Sequence, residues 1–127
     1  MLKYVIIGAG GTGGIMGAYM TKAGKSVTII ARGNHLSAMR KDGLTIEKLW
    51  NNEKENIKVN VCDTESYNGK ADVVFVCVKS YPVDEIIPFI EKISHKDTVV
   101  IRVLNVYGTG AVMQKSLPDV LVTDGCI

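Results

Sequence analysis

Cysteine is scarce in this chain, and what there is does not pair. Cys62, Cys77 and Cys126 are scattered and odd in number, and no CxxC occurs. Neither a disulfide framework nor a zinc site is expected from them. Cys77 lies inside an apolar run and reads as a buried small hydrophobe. The two histidines, His35 and His95, stand far apart, one on a short exposed helix and one in a polar helix-to-strand turn; neither is given a role. Charge of one sign is missing as well. Fifteen Lys and Arg against thirteen Asp and Glu leave +2, too little to argue for nucleic acid or a membrane surface, and no charge run is long enough for a binding tail. No apolar stretch approaches the ~20 residues of a membrane span. The first residues run into a strand pattern rather than a basic-then-apolar leader, so the chain reads as cytoplasmic. Repeats, low-complexity tracts and linkers are also lacking.

What is present is an alternation. The 127 residues are 46% hydrophobic and 22% charged, enough for one domain with a core of its own. Leu2–Ile7 is a β-branched apolar run, read as a buried strand. Gly11 to Ala23 is predicted to be a helix whose apolar face is Ile15, Met16, Tyr19 and Met20, stopped by Gly24. Ser26–Ala31 is a second strand, and Asn34–Lys41 a short helix closed by Gly43. Thr45–Trp50 and Asn56–Cys62, flanking "NNEKEN", read as a hairpin. Ala71–Val78 is a strand covered on both faces. Pro82–Ile93 follows as a helix that Pro88 should kink or split. Thr98–Leu104 is a strand, Thr109–Ser116 a short helix and Val120–Thr123 a last strand. Strands separated by helices imply right-handed crossovers and an α/β, doubly wound, mainly parallel sheet, here with an inserted or edge β-hairpin. The sequence stops at "TDGCI" with no helix to complete another crossover, so residues 1–127 read as one domain cut from a larger protein.

Half of "VIIGAGGTGG", Val5–Gly14, is glycine. Gly8-Ala9-Gly10-Gly11-Thr12-Gly13 is a GxGxxG placed after a strand and opening a helix, the context that gives this weak pattern its meaning. Gly8 allows a tight turn, Gly10 lets a pyrophosphate touch backbone, and Gly13 lets helix and strand pack closely. The N–H groups that open the helix then face the phosphates. The unit is Rossmann-type and binds a dinucleotide. The alternative is a glycine-rich turn without a ligand.

The end of the second strand bears on which dinucleotide. An NAD-binding unit carries Asp or Glu about 20 residues on, holding the ribose 2′-hydroxyl. Here the residues are Ile30-Ala31-Arg32-Gly33-Asn34, with no acid. A guanidinium at Arg32 pairs with a 2′-phosphate and stacks on adenine, which points to NADP(H); the alternative is a surface arginine. Lys79, straight after "ADVVFVCV", falls where ligands bind outside the carboxyl ends of strands, suited to a cofactor hydroxyl or a substrate carboxylate, or else is a solvated loop lysine. Asn105 ends the next strand in the same way, or is an ordinary turn residue.

Taken together, "VIIGAGGTGG", "ARGNHLSAMRKDGL", "ADVVFVCVKSY" and "DTVVIRVLN" resemble the ketopantoate reductase (2-dehydropantoate 2-reductase) family in order and spacing, over essentially the whole chain. The resemblance implies an oxidoreductase of pantothenate biosynthesis that reduces a small 2-keto acid with NADPH. It implies that Arg32 meets the 2′-phosphate, that Lys79 lies by the nicotinamide end and the substrate, and that an asparagine after the following strand contacts both. Where the family has a compact Leu-Gln-Asn-Gly, this chain has Leu104-Asn105-Val106-Tyr107-Gly108. Asn105 is the match with an insertion behind it, or the position is altered. The resemblance also implies a second, helical domain that supplies the proton-donating lysine and an acid holding the substrate. No residue of 1–127 stands for those groups, so this part alone should be inactive and its exposed docking surface prone to self-association. Two other readings stay open: a different NADP-dependent hydroxyacid dehydrogenase, and a non-enzymatic dinucleotide-sensing module. Sensors of that kind usually keep an acid at the second strand's end, so Arg32 and Lys79 favour an enzyme.

Overall fold

A computed structural model of the chain describes residues 2–8, 11–48, 50–77, 83–103 and 121–125. The elements run β1 (Lys3–Ile7), α1 (Gly11–Lys22), β2 (Ser26–Ile30), α2 (Gly33–Asp42), β3 (Leu44–Lys48), β4 (Glu53–Ile57), β5 (Asn60–Cys62), β6 (Ala71–Val76), α3 (Val83–Ile93), β7 (Ser94–Val103) and β8 (Leu121–Gly125). Six strands form one sheet in the order β5-β2-β1-β6-β7-β8, and every pairing in it is parallel. The order reverses at β1, so β1 and β6 flank the crevice where ligands sit in such sheets. The predicted helix Thr109–Ser116 lies outside the described residues.

The strand sequences explain the layering. Side chains alternate across a strand, so Val5 and Ile7 of β1 join Val74, Val76, Val100 and the α3 residues Ile86, Phe89, Ile90 and Ile93 on one face. Ile6 points the other way, to Val27, Ile29, Leu36 and Met39, under α1 and α2. Val5, Ile6 and Ile7 are all fully buried, as a central parallel strand requires.

Four expectations need correction, the last of them at His95. The buried side of α1 is not its large apolar residues. Ile15 and Tyr19 are 47% and 38% exposed, whereas Gly13, Gly14, Gly17 and Ala18 are buried. A Cβ at Gly17 would come within 2.6 Å of Ile29 Cδ1; the helix lies so close to the sheet that Ile29 and Ile6 fill the space a side chain would need. Met16 and Met20 are only partly buried against that layer. The second correction concerns the hairpin. β3 pairs antiparallel with Glu53–Ile57, while Asn60–Cys62 leaves the hairpin and pairs parallel with β2 at the edge of the main sheet. The third concerns α3, which Pro88 does not split: the helix runs from Val83 to Ile93. Pro88 is on the exposed side of the helix.

Helix and hairpin ends follow from local chemistry. Gly24, at φ 84°, closes α1. Its amide donates to Thr21 O and that of Lys25 to Met20 O, both at 3.0 Å, which satisfies the last carbonyls in a Schellman arrangement. Gly43, at φ 73°, closes α2 and sits so tightly on Ile57 O that a Cβ would approach to 2.8 Å. Lys22 and Glu55 form an ion pair that ties the hairpin to α1. At the opposite end of the sheet from the strand carboxyl ends, His95 lies in β7, not in a free turn. Pairing with β6 breaks between Ser94 and Val99, so the chain around His95 bulges. No helix among the described residues is long and apolar enough to cross a membrane.

Candidate functional site

Because the sheet is parallel, β1, β2, β5 and β6 all end at one edge. Backbone hydrogen bonds align the chain just past them: Gly8 N to Ile30 O at 3.0 Å, Ala31 N to Cys62 O at 3.0 Å, and Cys77 N to Ile7 O at 2.9 Å. Gly8 is buried with φ 102°, a conformation that favours glycine. Ala9 and Gly10 lie outside the described residues. Gly11 and Thr12 open α1. A Cβ at Gly13 would stand 2.1 Å from Gly8 O and 3.1 Å from Cys77 Cβ, so this glycine is what lets the helix start directly above the strand end. No acidic residue stands in the first turn of α1, and the opening N–H groups keep their affinity for an anion.

A second helix start lies nearby. Arg32, in extended conformation at φ −147° and ψ 162°, immediately precedes α2. That helix also has no acid in its first turn, and no described side chain caps it. Beside it is a cleft of about 250 Å³ lined by Ile7, Arg32, Asp63, Thr64, Glu65, Ile86 and Phe89. The floor is apolar and comes from β1 and α3; the polar wall comes from the ends of β2 and β5. A larger groove of about 450 Å³ runs between α1, α2 and β3, past His35, Met39 and Leu44. It lacks Arg32 and the strand ends, so the smaller cleft carries the candidate chemistry. His35 itself is exposed, as expected.

The wall of the small cleft is braced. Ser66 N donates to Asp63 Oδ1 at 2.7 Å. The Ser66 hydroxyl and amide, with the Glu65 amide, hold the Asp63 carboxyl below the usual carboxylate range. Tyr67, next in the chain, meets Phe89 edge-on with ring centroids 6.0 Å apart and planes at 77°, a favoured aromatic geometry. The turn after β5 is thereby fastened to α3. Cys77, by contrast, is a buried free thiol pushed up to about 11 by desolvation, hence no thiolate nucleophile near neutral pH.

The family model for ketopantoate reductase (PanE/ApbA) matches residues 4–127. The chain belongs to the ketopantoate reductase family. It is 36% identical over 108 residues to a 2-dehydropantoate 2-reductase of Pyrococcus horikoshii, covering 84% of this chain and 34% of that protein. The crystal structure of the 2-dehydropantoate 2-reductase of Porphyromonas gingivalis W83 superposes with a TM-score of 0.81 at 27% identity, over 98% of this chain and 46% of that one. A D-mandelate dehydrogenase, solved with NADH and anilino(oxo)acetate, shares the fold at a TM-score of 0.79 and 21% identity, over 94% of this chain and 39% of its own. The chain spans about a third of the length of the ketopantoate reductase family protein from Pyrococcus.

Of the residues singled out in the sequence, the structure brings Gly8, Gly11, Gly13 and Arg32 to one edge. Lys79 and Asn105 lie outside the described residues; in sequence they follow β6 and β7, strands that run toward that same edge. Sequence reasoning missed Asp63, Ile86 and Phe89. The "DTES" after β5 carried a signal for Asp63, an Asp accepting from a backbone amide a few residues on. The reading of Asn56–Cys62 as a hairpin arm hid that this Asp ends a parallel strand.

Proposed function

We propose that this chain binds NADPH and supplies the cofactor-holding part of a 2-keto acid reductase, with 2-dehydropantoate as substrate. The observation that carries this reading is the pair of adjoining anion sites. The glycine turn with the N-terminus of α1 suits a pyrophosphate, and Arg32 with the uncapped N-terminus of α2 suits a 2′-phosphate. The residues present fit the dinucleotide: a side chain at Gly13 would collide with the Gly8 carbonyl oxygen, so the helix start stays close to the strand end, and the cleft beside Arg32 has an apolar floor. Bound there, NADPH supplies a hydride to the ketone carbon. Lys79 and Asn105, which follow β6 and β7 in sequence, orient substrate and nicotinamide, and the proton comes from a part of the relatives' length that this chain does not span. The reaction takes place in the cytoplasm. The surface that would dock against the rest of a longer chain favours self-association of this part on its own.

NADPH oxidation with ketopantoate, followed by absorbance, tests the reading. Residues 1–127 should bind NADPH without turnover, and a chain as long as the relatives should turn over. Turnover by residues 1–127 alone would overturn the partial-site reading. A full-length chain inert toward ketopantoate would overturn the substrate.

A further inference from the structure

Arg32 and Asp63 stand at the ends of adjacent strands, held side by side by the Ala31 N to Cys62 O hydrogen bond at 3.0 Å, and both line the same cleft. A carboxylate beside a phosphate subsite is unexpected, because like charges a few ångströms apart repel. The two can share one ligand only if they face different parts of it. An adenosine 2′-phosphate has one anionic part and one neutral part that offers a donor, the exocyclic 6-amino group of the base. The apolar floor of Ile7, Ile86 and Phe89 suits the flat face of a purine. Resting on the proposed NADPH site, we infer that Asp63 reads the adenine: its carboxylate accepts from the 6-amino group while Arg32 takes the 2′-phosphate.

The turn makes Asp63 suited to this. A carboxylate offers about four acceptor positions. The Ser66 amide and hydroxyl and the Glu65 amide hold it ionised from the turn side, which leaves capacity toward the cleft. The Tyr67–Phe89 contact fixes that turn against the same helix that floors the cleft, so the acceptor is set before the ligand arrives and less ordering accompanies binding. Hypoxanthine carries an oxygen where adenine carries the amine. It would bring lone pairs against the carboxylate, and a hydrogen bond to a charged acceptor would be lost.

The test uses reduced nicotinamide hypoxanthine dinucleotide phosphate as probe beside NADPH and NADH. The intact chain should bind NADPH about tenfold to a hundredfold more tightly than the hypoxanthine analogue. Asp63→Asn keeps an oxygen for Ser66 N–H and turns an amide NH2 to the cleft, so it should abolish or reverse that preference while keeping NADPH above NADH. Far-ultraviolet circular dichroism checks that the variant is folded, and Asp63→Ser, which retains a turn acceptor, provides a second variant. Equal affinity of the intact chain for the two bases would overturn the inference. So would a variant in which only the NADPH-to-NADH ratio moves, since the acid would then be reading the ribose. If neither base form binds, the cofactor reading itself falls, and this one with it.

Discussion

A methyl group on Gly13 would stand 2.1 Å from the carbonyl oxygen of Gly8. No neighbouring side chain can yield to relieve this, because the obstacle is backbone at the end of β1. Gly13→Ala therefore has to push α1 off the strand. Overpacking of this kind costs about 1–3 kcal/mol, and the displaced N–H groups should weaken NADPH binding as well. Gly24→Ala is the comparison. Its φ of 84° also disfavours a side chain, but nothing lies within 4 Å; the left-handed backbone alone costs about 1–2 kcal/mol. Thermal unfolding with and without NADPH should show both variants destabilised and only Gly13→Ala impaired in binding.

Arg32→Ala should lower NADPH affinity about tenfold to a hundredfold, the range for losing a charged hydrogen-bonding partner. NADH affinity should change little, because NADH has no 2′-phosphate. Arg32→Lys should recover only part of the loss, since an ammonium lacks the bidentate fork. Fluorescence titration of both cofactors measures the difference.

At the far end of the sheet, Asp72 accepts from Lys3 N at 2.7 Å and pairs with His95 Nε2 at 2.7 Å. The Lys3 amide first, and then the His95 ring, hold its carboxyl below the usual range. A depressed folded-state value means that the stabilisation is complete above the unfolded value near pH ~4 and disappears as pH falls through the folded value. Asp63 behaves likewise. Melting temperature should therefore fall on acidification below about pH 4, and Asp72→Asn should flatten part of that limb, leaving the share that belongs to Asp63.

Alkylation should separate the described cysteines. Cys77 is pushed up to about 11 by burial. Cys62 is raised as well, by burial first and then by the Asp63 charge, but it is only partly buried. Iodoacetamide at pH 8 should label Cys62 before Cys77 in the folded chain, a difference that vanishes in denaturant. Peptide mass spectrometry reads it directly.

Much of this was legible in the sequence because the constraint was local. A glycine at φ 102° after a strand, or one closing a helix, announces itself without knowledge of distant contacts, and Arg32 was read from the acid it replaces. The face of α1 was not legible, since periodicity weighs large apolar residues while the packing turned on the absence of side chains at Gly13 and Gly17. β5 is three residues long, too short for any period, so it merged with the hairpin and concealed Asp63. That Pro88 would not split α3 was not legible, because its exposure depends on which side α3 buries. The Asp72–His95 pair joins residues 23 apart and exists only once β6 and β7 are side by side.

If the two anion sites act together, they select a 2′-phosphorylated dinucleotide. Isothermal titration of residues 1–127 with NADPH and with NADH, in the same buffer and salt, tests it most directly. One saturable site should bind NADPH at least about tenfold more tightly than NADH, consistent with a charged hydrogen-bonding partner at Arg32. Equal affinities, or tighter binding of NADH, would contradict it.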